Sequence, residues 1–142
     1  MLADLKHFLR ARSGASAVEF ALVLPVFILV MLGIIAYGIY FGATHSVAQL
    51  AADAARASIA GLSDQERVRI VTDHVQRNAG QYALIDASSV TVDAGPVAGD
   101  VTQFKVAVVY DASRLPIWTL GPILPLPSQT IRRVAVIKRG GY

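Results

Sequence analysis

The sequence predicts an α+β fold in which a long N-terminal membrane-spanning helix continues into a small domain with a short second helix and a roughly three-stranded antiparallel sheet. Two observations predict it. The 142-residue chain is 54% hydrophobic and only 16% charged, whereas ordinary soluble domains carry about a quarter charged residues. Its apolar residues cluster in one long tract near the N-terminus, and β-type alternation begins only after residue 82. The chain has no cysteine, which excludes a disulfide scaffold, a zinc-thiolate site and a cysteine nucleophile.

The apolar tract is long enough to cross a bilayer. The 24 residues from Phe20 to Ala43 carry no charge. As a helix they would be ~36 Å long, against a hydrocarbon core of ~30 Å. The alternative is a core helix of a soluble protein, but such helices are usually shorter and carry a polar stripe. Aromatic residues at the end of the tract (Tyr37, Tyr40 and Phe41) suit a water–lipid boundary. We therefore predict a transmembrane helix over residues 15–43.

The charges that flank this tract predict its orientation. Three basic residues, Lys6, Arg10 and Arg12, precede it, and the next one after it is Arg56. Because positive flanks stay in the cytoplasm, the N-terminus is predicted to be cytoplasmic and residues 44–142 periplasmic. The apolar tract is too long for an ordinary cleaved secretory signal, which favours an anchor that the mature protein retains.

Glu19 is the one charged residue at the cytoplasmic edge of the tract. In one interpretation it is solvated among the lipid headgroups or lies near Arg12. In the other it awaits a cation, because a carboxylate in lipid is costly. A cut between Gly14 and Ala15 would free an α-amine one helical turn before Glu19, on the same helix face. The helix dipole would also favour an acid near such a new N-terminus.

The segment that carries this acid resembles a known family. Residues 14–20 read Gly-Ala-Ser-Ala-Val-Glu-Phe after a basic leader and before a long apolar helix. This string is similar to the prepilin peptidase signature of type IV pilin-like proteins. The whole stretch over residues 10–60 resembles the TadE-like pseudopilins of tight-adherence (Tad, Flp) pilus systems. Where that family often has Tyr after the glutamate, this chain has Phe20.

The resemblance implies a minor pseudopilin with a pilin-like fold. Residues 1–14 would be a cytoplasmic leader that a prepilin peptidase removes after Gly14, so that the mature chain starts at Ala15. Glu19 would then pair with the N-terminal amine, and Glu19 together with Phe20 would direct assembly. The implied partners are the membrane, the peptidase, other pilin-like subunits and the Tad assembly machinery. The implied location is the bacterial inner membrane, with the extracellular pilus as a later destination, and the implied role is pilus biogenesis and surface adhesion.

Two glycines in the tract suggest a helix-packing face. Gly38 and Gly42 have the GxxxG spacing that lets two membrane helices approach closely. Chance is the alternative, since glycine is common in membrane helices. In the first interpretation this face meets another pilin-like helix.

The remainder of the chain predicts a small outer domain. Its helical pattern continues over residues 44–60 without a breaker and stops near Gly61. Ser63 and Glu66 form a capping-box signature that opens a second helix. A turn-rich connection follows the first strand, and Arg132 and Arg133 suggest a bulge in the third. The predicted elements are a helix over residues 64–79 and strands over about 88–93, 102–111 and 130–138.

A proline-rich apolar segment over residues 115–127 allows two interpretations. With four prolines it cannot be a regular helix or a central strand. In the first interpretation it covers the small core of the domain. In the second it is exposed, and Trp118 contacts a partner.

The sequence lacks the motifs of catalysis. His7, His45 and His74 lack metal-site spacing, and there is no phosphate loop, dinucleotide motif or GxSxG. A net charge of +3 is too small to indicate nucleic acid. We therefore expect no enzymatic activity, cofactor, metal, nucleic acid or small-molecule substrate. The alternative to the pilin function is a single-pass inner-membrane protein whose periplasmic domain binds an envelope or secreted partner without entering a fibre.

Overall fold

The computed structural model describes residues 12–138, with side chains from Gly14 onward. Its first element is helix α1 (Arg12–Ala57). The chain divides into two units, one ending at Ala36 and the other beginning at Tyr37. Most of the predicted leader, residues 1–11, lies outside the described residues. The expected pilin-like α+β layout is confirmed by a long helix, a short helix and a three-stranded antiparallel sheet. The later elements are α2 (Asp64–Asn78), β1 (Val90–Val97), β2 (Asp100–Asp111) and β3 (Thr130–Lys138).

Helix α1 ends close to where glycine was expected to stop it. After Ala57 the chain tightens into a 3-10 turn over Ser58–Ala60, and Gly61 then takes an extended conformation. Gly61 is buried, and a Cβ there would lie 3.0 Å from the backbone nitrogen of Arg67. Glycine therefore permits a close approach between this turn and the start of α2. At the other end, Pro25 lies within α1 without interrupting it.

The capping signature is realised at the start of α2. Ser63 adopts an extended conformation, and its hydroxyl accepts a hydrogen bond from the backbone N–H of Glu66 (3.2 Å). The Glu66 carboxylate accepts in turn from the backbone N–H of Leu62 (2.8 Å), one residue before the usual partner. Both bonds satisfy backbone donors next to the helix start, where no intrahelical acceptor exists.

Strand β1 continues through residues that were predicted to form a turn. The segment around Gly95 and Pro96 was expected to be a turn-rich connection, but β1 continues through both residues to Val97. The sheet order is β1-β2-β3, so β1 is an edge strand, where proline is tolerated. A register irregularity falls between Pro96 and Val97, and the turn itself contains Gly99 with φ +82°.

The bulge expected in the third strand is absent from the described pairing. Strands β2 and β3 pair in continuous register from Asp111 opposite Thr130 to Gln103 opposite Lys138. Arg132 is therefore an ordinary member of the strand and is exposed, as is the neighbouring Arg133. The interrupted apolar alternation reflects exposure of this edge strand and not an extra residue.

The core of the second unit combines an α1 stripe with one face of the sheet. Alternate residues of β2 are buried, as the sequence pattern predicts, and Val71 and Val75 contribute from α2. The α1 stripe follows three- and four-residue spacing. The buried apolar residues include Ala43, Val47, Leu50, Ala51, Ala54 and Ala55 in α1, with Phe104, Val106, Val108 and Tyr110 in β2, where Ala107 on the opposite face is buried as well.

One hydrogen bond ties the loop after α2 back to α1. The Tyr82 hydroxyl donates to the Asp53 carboxylate at 2.7 Å, across 29 residues of sequence. The other Asp53 oxygen accepts from the Arg56 guanidinium at 2.6 Å. Burial, followed by the hydrogen bond to Asp53 and its negative charge, raises the pKa of Tyr82 to about 12.

This pKa predicts a loss of stability in alkali. Folded Tyr82 keeps its proton up to about pH 12, whereas the unfolded residue loses it near its ordinary value of 10.0. Its contribution is therefore complete below pH 10 and is lost between pH 10 and 12. Tyr82→Phe should lower the unfolding free energy by about 1 kcal/mol at pH 7 and flatten its pH dependence over that range.

Denaturant unfolding of the detergent-solubilised protein at several pH values measures both effects. Asp53→Asn is the matched control, since it keeps the side-chain size but removes the charge that contributes to the raised pKa. It should shift the alkaline loss toward pH 10. Identical pH profiles for the wild type and Tyr82→Phe would exclude this linkage.

Candidate functional site

The N-terminal part of α1 is an apolar surface without cover. Every residue from Gly14 to Met31 is exposed, including Phe20, Leu22 and Phe27. The helix is long and apolar enough to span a membrane, and none of its most apolar 18-residue window is buried. A soluble protein rarely exposes an apolar surface of this extent. The core-helix alternative therefore does not fit this segment, whose exposed side chains need a lipid or protein environment.

The residues predicted for cleavage and assembly lie on the first turns of α1. Gly14, Ala15, Glu19 and Phe20 are all exposed. The Gly14–Ala15 bond lies within the helix, and apart from the chain neighbours and the local helix backbone no described atom comes within 4 Å of the position that a Cβ would occupy on Gly14. Substitutions at this position therefore disturb no packing among the described residues.

Glu19 is chemically isolated. It is the one Asp, Glu, Lys or Arg in the sequence between Arg12 and Asp53. In the part of the chain that the structure describes, its carboxylate has no hydrogen bond or ion pair. Ala15 lies four residues earlier, ~6 Å along the helix axis and on the same face. The arrangement can therefore accept a cation from the N-terminal side, from this chain or from a neighbour.

The two glycines of the GxxxG pair differ in their surroundings. Gly38 is exposed, and apart from the chain neighbours and the local helix backbone no described atom lies within 4 Å of its Cβ position. Gly42 is half-buried, because the Cδ1 atom of Leu84 lies 2.6 Å from its Cβ position. Part of the predicted packing face thus contacts this chain's own loop, and the free surface is centred on Gly38.

The proline-rich segment contributes to the core. Leu115, Ile117 and Leu124 are buried, in agreement with the first interpretation of the segment over residues 115–127. Trp118 is half-buried, and its indole N–H donates to the Ala112 carbonyl at 2.6 Å. This bond gives Trp118 a structural role in the domain. Its contact with a partner stays a prediction.

An aromatic cluster of α1 is bonded to this segment through Tyr37. The Tyr37 and Phe41 ring centroids are 6.0 Å apart, and those of Tyr40 and Phe41 are 6.2 Å apart. The Tyr37 hydroxyl donates to the Pro125 carbonyl at 2.6 Å, across 88 residues of sequence. Nothing in the sequence pattern signalled this long-range bond, which fixes the segment against α1.

The described histidines do not form a metal centre. No group of three or more His, Asp or Glu residues capable of holding a metal occurs within residues 12–138. His7 lies outside the described residues, and His45 is exposed on α1. His74 lines a surface concavity of about 290 Å³, together with Ala57, Ile70, Asp73, Arg77 and Asn78. The concavity contains no nucleophile–base pair that would indicate catalysis.

Comparison with known proteins gives one family. No curated protein and no solved structure matches the chain. The family model described as "TadE-like protein" matches residues 14–56, which make up nearly all of α1 and include Glu19 and the exposed apolar surface. The resemblance seen in the sequence is thereby confirmed over this segment, which makes up about a third of the chain and is similar to the TadE-like family.

Proposed function

We propose that this chain is a minor pseudopilin of a Tad-type pilus. It is inserted once in the bacterial inner membrane, with a cytoplasmic N-terminus and a periplasmic C-terminal domain. A prepilin peptidase cuts it after Gly14, and the exposed helix then packs with other pilin-like subunits during pilus biogenesis. The chain contributes structure and partner choice, and it catalyses no reaction.

The observation that carries this proposal is the isolation of Glu19. An acid at the edge of an uncovered apolar helix is costly in lipid and has no partner among the described residues. A helix that only anchored a domain would gain nothing from such an acid. The amine released at Ala15 would supply a positive charge on the same helix face, and the TadE-like match over residues 14–56 supports this interpretation.

The exposed face around Gly38 offers a direct test of assembly. A photocrosslinking amino acid at position 38 should capture another pilin-like subunit in cells, since Gly38 is exposed and no described atom beyond its own stretch of helix lies within 4 Å of its Cβ position. The control is the same probe at Val101, which is 79% exposed on the outer domain. Mass spectrometry of the crosslinked product identifies the partner.

The outcome separates the two functions that the sequence left open. Capture of a pilin-like subunit from position 38 supports entry into a fibre. Capture of an envelope or secreted protein from position 101, with nothing captured from position 38, supports the single-pass binding protein instead and contradicts the pseudopilin proposal.

A further inference from the structure

Two loops of the outer domain contact α1 near the C-terminal end of its apolar tract. Pro125 accepts the hydrogen bond from Tyr37, and Leu84 packs over Gly42. Both Tyr37 and Gly42 belong to the charge-free tract of residues 20–43. The loops over residues 82–86 and 121–126 are therefore fixed to a part of the helix that is itself apolar enough to lie in a membrane.

The depth of these attachments follows from helix geometry. A hydrocarbon core of ~30 Å takes up about 20 helical residues. If Phe20 enters the core on the cytoplasmic side, the core ends near Ile39. Tyr37 and Gly42 then lie within about one helical turn of that boundary. Loops bound to them lie at the level where acyl chains meet headgroups.

The backbone of the 121–126 loop suits this environment. The N–H groups of Gly121, Ile123 and Leu124 donate to the carbonyls of Trp118 and Leu120 at 2.9–3.1 Å. Pro122 and Pro125 have no N–H. Every backbone donor over residues 121–125 is thus bonded or missing, which removes the cost of unsatisfied N–H groups when this loop is placed near lipid.

The side chains and charges of the two loops fit the same surface. Ile123 is 55% exposed, Leu84 is 46% exposed and Phe41 of α1 is 61% exposed. The 17 residues between Arg114 and Arg132 carry no charge. Leu84 also holds a left-handed conformation, φ +63°, which carries an energetic cost for a non-glycine residue. Its contact with Gly42 fixes an exposed leucine beside the helix in spite of that cost.

The basic residue that precedes the 121–126 loop is already paired. The Arg114 guanidinium donates to the Asp86 carboxylate at 2.7 Å and to the Ser88 hydroxyl at 3.3 Å. Hydrogen bonds from Ser88, then from Arg114, hold the pKa of Asp86 below its ordinary value. Because Arg114 and Asp86 form a neutral pair, Arg114 does not attract the loops to anionic headgroups. Apolar contact is the interaction that these loops can make.

We propose that Phe41, Leu84 and Ile123 form a lipid-facing rim, which inserts into the boundary between headgroups and acyl chains of the bilayer that α1 spans. The rim rests on the proposed membrane span and adds a second point of attachment. Two contacts of the domain with the bilayer would fix its orientation above the membrane before the subunit is assembled.

Single-cysteine labelling tests the rim, because the natural chain has no cysteine. The full chain is reconstituted in phosphatidylcholine vesicles with a fluorophore on Ile123→Cys or Leu84→Cys. Ile28→Cys in the apolar helix reports the span, and Val101→Cys reports the aqueous side. All four parent side chains are exposed. Position 123 is the primary reporter, because the label at position 84 also replaces the side chain that contacts Gly42.

Labels at positions 123 and 84 should lose most of their emission to lipids that carry a nitroxide near the headgroup. The label at position 28 should respond to a mid-chain nitroxide, and that at position 101 to aqueous iodide alone. Added phosphatidylglycerol should leave these responses unchanged, and a strong dependence on it would contradict apolar insertion.

Failure of the rim and failure of the membrane span give different quenching results. If positions 123 and 84 respond like position 101 while position 28 responds to lipid, the rim is wrong and the span stands. If position 28 is open to iodide, the span itself is wrong, and the rim with it. Protection of position 123 from both quenchers would mean that a second copy of the chain covers it, which overturns docking on lipid.

Discussion

Replacement of Gly14 by leucine is expected to leave the chain uncut, so that the full-length precursor accumulates in the membrane. A peptidase must bring its catalytic groups close to the backbone at this bond, and a Cβ with a bulky side chain obstructs that approach. The change should not affect folding, because Gly14 is exposed and open at its Cβ position. Immunoblotting of membrane fractions separates the precursor from the shorter mature chain.

Gly38→Leu is the matched control for processing. It makes the same substitution at an equally open position of α1, 24 residues further along. We expect it to be cut like the wild type, whatever its effect on assembly. Complete processing of Gly14→Leu would rule out cleavage at this bond.

Neutralising Glu19 should separate processing from assembly. Glu19→Gln keeps the size of the side chain and removes a charge whose insertion costs about 2.5–3.5 kcal/mol at the centre of a membrane helix and less near the boundary. Membrane insertion should therefore be at least as favourable, and cleavage should continue. Incorporation into sheared pili should fall at least tenfold, because losing about 1.4 kcal/mol of ion-pair free energy weakens the association of subunits tenfold.

Neighbouring and conservative variants show whether the charge itself matters. Val18→Ala changes another exposed side chain one residue away and should assemble normally. Glu19→Asp keeps the charge on a shorter stem and should recover part of the assembly. Normal piliation with Glu19→Gln would contradict the pairing of this acid with the new N-terminus.

Features that depend on near neighbours in the sequence were predictable. The charge-free tract gave the apolar helix, Gly61 marked its end, and the serine–glutamate spacing located the start of α2. Apolar alternation from Phe104 to Tyr110 located the buried face of β2. In each case a few adjacent residues determine the local backbone or its exposed face.

Features that depend on distant contacts were not predictable. Gly95 and Pro96 read locally as a turn, yet pairing with β2 extends the edge strand through them. The bond between Tyr82 and Asp53 and the contact of Leu84 with Gly42 join segments that share no periodic pattern. The location of Glu19 could be predicted from sequence, but its isolation from the rest of the described chain required the structure.

The most direct test of the proposed function is the intact mass of the protein extracted from the membranes of cells that produce functional pili. Cleavage predicts a chain that begins at Ala15 and lacks the first fourteen residues. A functional protein that still begins at Met1 would leave Glu19 without its nearby amine. That result would contradict the pseudopilin proposal and favour a single-pass membrane protein that binds its partner outside a fibre.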